Sequence, residues 1–207
     1  MNKKIDYKKD YKDLYTLKQT PTIINIPKIR FVLIEGEGDP NGKEFGEATA
    51  ALYSFSYTVK MSYKSNNIPK DYYEYTVFPL EGVWDLVDKN KDVSDKSNYK
   101  YQIMIRQPDF LTKDLFERFL NETKKKKPNK YLDNLSYEEI EEGLCCQMLH
   151  VGSYDNEPKT FKIMEEYSLE NGYERLSKIH REIYLSDPRK TEKDKLKTIL
   201  RFKVKKK

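Results

Sequence analysis

The chain has 207 residues, of which 37% are hydrophobic and 35% charged, and a formal net charge of +5. That length suffices for one sizeable core or two small ones, and no apolar run approaches the length of a membrane span. The positive charge sits in Lys3, Lys4, Lys8, Lys9 and Lys12, in the four lysines of residues 124–127, and in Lys203, Lys205, Lys206 and Lys207. These are solvated tails and runs, and no helix-turn-helix, zinc-finger or aromatic ribonucleoprotein pattern accompanies them, so no specific nucleic-acid partner is expected.

Residues 1–20 are polar and of mixed charge and read as a poorly structured segment, with Leu14 and Leu17 as its anchors. They hold no apolar stretch of signal-peptide type, so a cytoplasmic location is expected. Pro21 and Pro27 bracket an extended segment, and residues 29–36 are short, apolar and closed by glycine, the pattern of a buried strand. The glycine-rich residues 36–42 lack the ending of a phosphate loop and the spacing of a dinucleotide loop. They read as a tight strand-to-helix turn. Phe45, Ala48, Leu52, Phe55 and Val59 then recur at steps of three and four, one helical stripe. Residues 72–79 read as a strand ended by Pro79, and residues 80–86, with the single Trp84, as a turn and another strand.

A charged turn precedes residues 99–106, in which Tyr101, Ile103 and Ile105 alternate as a strand. From Thr112 a helix carries Leu115, Phe116, Phe119 and Leu120 and runs into the lysines of 124–127, where cations complement the carbonyl end of the helix. Pro128 stops it. Residues 136–142 read as a short helix, with Ser136 and Glu139 as a capping box. Residues 144–150 read as a strand whose adjacent Cys145 and Cys146 face opposite ways, two reduced thiols that do not pair. A turn at 152–156, a helix from Pro158 to about Asn171-Gly172, and strands at 179–185 and 196–204 complete the chain.

Strand, helix, strand, strand thus occurs twice in order. The fold class expected is α+β, a single domain with residues 29–87 as first repeat, 98–142 as connecting strand and helices, and 143–204 as second repeat. Antiparallel sheets carry helices on one face, and the other face curves into a central ligand cleft between the halves.

Candidate chemistry gathers in residues 180–190. Glu182, Tyr184 and His180 leave one face of the strand, Ile183 and Leu185 the other, and Ser186-Asp187-Pro188 turns the chain. Glu182 is reactive only where that face lines a cavity, since a glutamate on a strand ordinarily faces solvent. Trp84 is core or ligand wall. Of the 17 tyrosines, Tyr75, Tyr154 and Tyr167 are pocket-wall candidates by type and placement. Neither His150 nor His180 shows metal-ligand spacing with a pair of carboxylates, so no metal is expected. Ser153 and Ser186 lack a histidine–acid partner, which argues against a serine hydrolase, and no cofactor is expected.

Three stretches carry a resemblance: Leu33-Ile34-Glu35-Gly36-Glu37-Gly38-Asp39-Pro40-Asn41, Pro79-Leu80-Glu81-Gly82-Val83-Trp84, and Glu182-Ile183-Tyr184-Leu185-Ser186-Asp187-Pro188-Arg189-Lys190. They resemble the GyrI-like small-molecule-binding family, which includes gyrase-inhibitory proteins and the ligand domains of multidrug-responsive regulators. Its stand-alone members are linked to hydrolysis of cyclopropane-bearing DNA alkylators. The resemblance implies a duplicated fold with pseudo-two-fold symmetry and a central pocket holding an acid, at the position of Glu182. On that reading Glu182 and Tyr184 are the catalytic candidates, and Trp84, Tyr75, Tyr154, Tyr167 and His180 the ligand-binding ones. Glu182 would activate water to open a strained ring or pair with a cationic aromatic compound. A protein-interaction role of the gyrase-inhibitor kind is the third expectation.

Overall fold

The structure is a computed structural model and describes residues 4–207. Its elements are α1 (Tyr7–Asp10), β1 (Thr22–Glu37), α2 (Lys43–Lys60), β2 (Leu80–Leu86), β3 (Tyr99–Arg106), α3 (Lys113–Lys126), β4 (Ser136–Val151), α4 (Glu157–Glu170), β5 (Tyr173–Arg175), β6 (His180–Tyr184) and β7 (Lys197–Lys206). The strands run β4-β1-β3-β2-β6-β7, each pair antiparallel, and β7 pairs back onto β4 from Cys145↔Lys203 to Val151↔Lys197. The sheet therefore closes into a barrel. Short β5 adds to the far end of β7. Helix and antiparallel sheet together make an α+β fold. Among the described residues no helix is long and apolar enough to cross a membrane.

Closure covers both faces of β1 from Phe31 to Ile34, which explains its unbroken apolar run. Val32 and Ile34 pair with Ile105 and Ile103 on the outer face, against Leu52, Phe55 and Val59 of α2. Phe31 and Leu33 face inward with Met104 and Cys145. The outer face of β4 and β7 presents Cys146, Met148, Leu200 and Phe202 to Met164 of α4. Cys145 and Cys146 are both buried and free, in separate clusters. The turn after β1 is tight because Gly38 takes a φ of 105°, open to glycine without strain. Thr112 caps α3 by accepting from the Leu115 amide.

The inside of the barrel also holds charge. Arg181 of β6 meets Glu81 at 2.8 Å and Glu142 at 3.0 Å, touches the Met104 sulfur and lies over the Phe31 ring. Arg201 of β7 takes the other oxygen of Glu142 at 2.9 Å and bonds Gln147. Burial acts to raise the Glu142 carboxyl, and the two guanidiniums outweigh it, holding it below the usual range.

Three expectations from the sequence differ from the structure. Residues 136–142 form the start of β4, not a helix: Ser136 to Glu141 pair with Leu33 to Lys28. The long edge of β1 needs a partner, and that pairing overrides the local capping-box signal. Residues 72–79 are irregular apart from one bridge, in which Glu74 and Thr76 bond the backbone of Ile5. Their alternation serves burial of Tyr75 and Phe78, not a ladder. The first segment is not loose from residue 4 onward. Tyr7 and Tyr15 are buried, and Tyr7, Tyr11 and Tyr15 pack around Phe78. Leu17, read as an anchor, is exposed. Met1–Lys3 lie outside the described residues.

Candidate functional site

Strand pairing places Gly82 and Trp84 of β2 opposite Glu182 and His180 of β6, and Leu200 of β7 on the other side of Glu182. Because Leu200 packs toward α4, this is the outer barrel face, between the N-terminal turns of α2 and α4. The sequence reading put the cleft on the face away from the helices, but that face closes on itself and is filled by Phe31, Leu33, Met104 and the Arg181 ion pairs. The alternation of β6 thus sorts its residues as the sequence implies: Arg181 and Ile183 inward, His180, Glu182 and Tyr184 toward the helices.

Both oxygens of Glu182 are held. Oε1 lies 3.0 Å from His180 Nε2, and Oε2 accepts from the Tyr184 hydroxyl at 2.8 Å. That hydroxyl accepts in turn from Trp84 Nε1 at 2.9 Å. His180 Nδ1 faces the Lys178 carbonyl at 3.2 Å. Gly82 is required beneath this chain, since a Cβ there would stand 2.7 Å from Trp84 Nε1 and 3.2 Å from the Tyr184 oxygen. The side chains of Glu182 and His180 keep 12% and 22% of their exposure, so solvent reaches them.

Aromatic rings wall the acid. Phe45 of α2 stacks on Trp84 at 5.9 Å, Tyr99 meets Trp84 edge-on at 5.8 Å, and Tyr154 meets Tyr184 edge-on at 6.1 Å. Phe161 of α4 lies 4.7 Å from the His180 ring. Burial, then the charges of Glu182 and Glu157, push the Tyr184 hydroxyl well above its ordinary range. The same causes push Tyr154 up to about 12. Both stay protonated donors at neutral pH.

Glu157, the first residue of α4, completes the site. It is buried, and burial, then the charge of Glu182 and a hydrogen bond to it, raise its carboxyl well above the carboxylate range. Ligand-type atoms of Glu157, His180 and Glu182 lie within 4.8 Å of one another.

Of the residues singled out from sequence, the structure gathers Glu182, Tyr184, His180, Trp84 and Tyr154. Tyr75 stands elsewhere, buried among Tyr73, Phe78 and Phe110, and Tyr167 packs on the cluster under α4. His150 bonds Thr160 and the Ser153 carbonyl, pinning α4 to β4. Glu157, Tyr99, Phe45 and Gly82 were not legible as site residues. An acid in the first turn of a helix is an ordinary dipole partner, and Gly82 read as a turn residue.

This arrangement can be set against known proteins. The family model described as a GyrI-like small molecule binding domain matches residues 19–205. The chain belongs to the GyrI-like family. No curated protein matches it significantly. Among solved structures, this GyrI-like protein is similar to an uncharacterized conserved protein from Listeria innocua, at 38% identity and a TM-score of 0.92, covering 98% of this chain and 100% of that one. It is also similar to a hydrolase from Listeria innocua, at 37% identity and a TM-score of 0.91 with the same coverage. The EcmrR C-terminal domain, at 14% identity and a TM-score of 0.55 over 91% of this chain and 98% of that one, shares the fold.

Proposed function

We propose that this GyrI-like protein hydrolyses cyclopropane-bearing electrophiles of the DNA-alkylating type, with Glu182 as general base. The single observation that carries the reading is Glu182 itself, held at both oxygens among aromatic rings and still reached by solvent. Glu182 takes a proton from water as the water oxygen attacks the ring methylene. The strained carbon–carbon bond breaks, and its electron pair passes into the conjugated carbonyl, whose oxygen takes a proton from solvent to become a hydroxyl. Glu182 returns the proton it took to solvent. Tyr184 donates to Glu182, so its part is to aim the carboxylate. Trp84 and Phe45 offer faces for a flat ligand. Similarity to a Listeria innocua hydrolase supports a hydrolytic reading. We read the two β-α-β-β runs as a duplication with pseudo-two-fold symmetry and the site as the cleft between them. Two buried free thiols support a reducing, cytosolic setting.

A second reading has its own observation. Glu157 and Glu182 stand together within aromatic surroundings, which favours a cationic aromatic ligand held without turnover. One experiment separates the two. The protein is incubated with a cyclopropane-bearing alkylator and the products are followed by mass spectrometry for a ring-opened, water-added species. Glu182→Gln should lower turnover by about 100-fold or more while keeping affinity for a neutral ligand. A non-catalytic binder gives no product, and its Glu182→Gln variant loses affinity for cations alone.

A further inference from the structure

We propose that Glu157, His180 and Glu182 form a binding site for one divalent transition-metal ion of the zinc class. The inference goes beyond the hydrolytic reading and does not depend on it.

The first observation is the donor set. One imidazole and two carboxylates, from the start of α4 and from β6, converge within 4.8 Å. Glu182 Oε1 and His180 Nε2 stand 3.0 Å apart. Two ligands at about 2.1 Å from one ion subtend close to a right angle at that separation. A nitrogen with two oxygens suits zinc, cobalt or manganese, whereas magnesium and calcium prefer oxygen alone.

The second observation is independent of the convergence. Glu157 is only 6% exposed, and among the described residues no N–H or O–H donor reaches its Oε1; the one hydrogen bond its carboxyl makes joins it to another acid, Glu182. A buried oxygen left so is costly, and a cation shared with Glu182 removes the cost for both acids.

The third is the outer layer of contacts. A histidine that binds a metal through one nitrogen donates its other N–H to a carbonyl or carboxylate, and a ligating carboxylate is itself hydrogen-bonded. His180 Nδ1 faces the Lys178 carbonyl, which turns Nε2 toward the two acids. Glu182 Oε2 accepts from Tyr184, whose hydroxyl is fixed by Trp84, so an ion bound between Oε1 and His180 Nε2 replaces only the direct contact those two atoms make in the metal-free chain. Three protein ligands leave open positions for water or a ligand atom, the pattern of a reactive rather than a purely structural centre. The sequence did not suggest this site because Glu157 is 23 residues from His180 along the chain and joins it only through the packing of α4 on the barrel.

The test uses the full chain stripped of metal. Cobalt(II) is titrated in and followed by its visible absorption, and zinc binding is measured by calorimetry. One equivalent should bind, an equal concentration of magnesium should not displace it, and His180→Ala and Glu157→Gln should each weaken binding by about 10-fold or more. His180 is half-buried at the start of a strand, so His180→Ala should keep the native circular dichroism even if Glu157→Gln does not fold. Absence of saturable cobalt and zinc binding, or binding that His180→Ala leaves unchanged, overturns the proposal. The ring-opening assay is run on metal-free protein, so a negative result in either experiment leaves the other standing.

Discussion

Trp84 Nε1 donates to the Tyr184 hydroxyl across the β2–β6 pair, directly above Gly82. The bond joins the single tryptophan of the chain to the residue that aims Glu182. It exists only because position 82 carries no Cβ. Gly82→Ala should part the two side chains and destabilise the fold by about 1–3 kcal/mol, as overpacking does. Tryptophan emission reports the first effect and denaturant unfolding the second. An unchanged emission maximum together with unchanged ligand affinity would show that Gly82 is not a constraint on the site.

The barrel interior predicts acid sensitivity. Glu142 is ionised between Arg181 and Arg201, and its carboxyl is held below its ordinary range in the folded chain. A depressed carboxylate adds stability above its unfolded value of about 4, and that stability is lost as pH falls through the lower folded value. Thermal midpoints should therefore drop below pH 4 to 5 in the native protein. Glu142→Gln should flatten that drop and cost about 3–5 kcal/mol at neutral pH, because two buried guanidiniums lose their shared partner. A parallel pH profile in the variant would assign the acid sensitivity to other groups.

The N-terminal segment should matter to stability although its composition is that of a tail. Arg106 is buried with its guanidinium 4.0 Å from the Tyr11 ring centroid and 4.7 Å from that of Phe78. Tyr15 packs against Phe78 and reaches toward Glu81 at 3.5 Å. Tyr15→Ala should cost about 3–5 kcal/mol, the range for removing a buried aromatic ring. Tyr11→Ala should cost about 1–2 kcal/mol through the lost cation–π contact. Proteolysis provides the check: the native chain should resist cleavage from α1 to Thr22, and the Tyr15 variant should not.

These cases show where the sequence was legible. Period-two alternation identified β3 and β6 and put Glu182 with Tyr184 and His180. Period-three and -four stripes identified α2 and α3. Those signals are local, and the fold kept them. Ser136 carried an equally clear local signal, a capping box, and it lost to eleven cross-strand partners on β1. Arg181 sits between the two residues that marked the site, yet its burial depends on barrel closure, which no local pattern encodes. Glu157 was hidden for the same reason: its place beside Glu182 follows from where α4 lands on β4 and β7. Tyr75 and Tyr167 were chosen for their chemistry alone, and the structure puts them in other clusters.

Tyr184→Phe tests the last link. The ring stays, so the wall against Tyr154 is kept. The loss is one hydroxyl that both accepts from Trp84 and donates to Glu182. Trp84 Nε1 and Glu182 Oε2 are then left without that partner, at a cost of about 1–3 kcal/mol in stability. Glu182 keeps its charge but not its aim, so turnover on a cyclopropane-bearing substrate should fall by roughly 10- to 100-fold with KM changed little. Equal losses in binding and turnover would instead mean that the hydroxyl contacts the ligand directly. A variant as active as the native chain would mean that His180 alone suffices to hold Glu182, and the Trp84–Tyr184 bond would then be a feature of the fold.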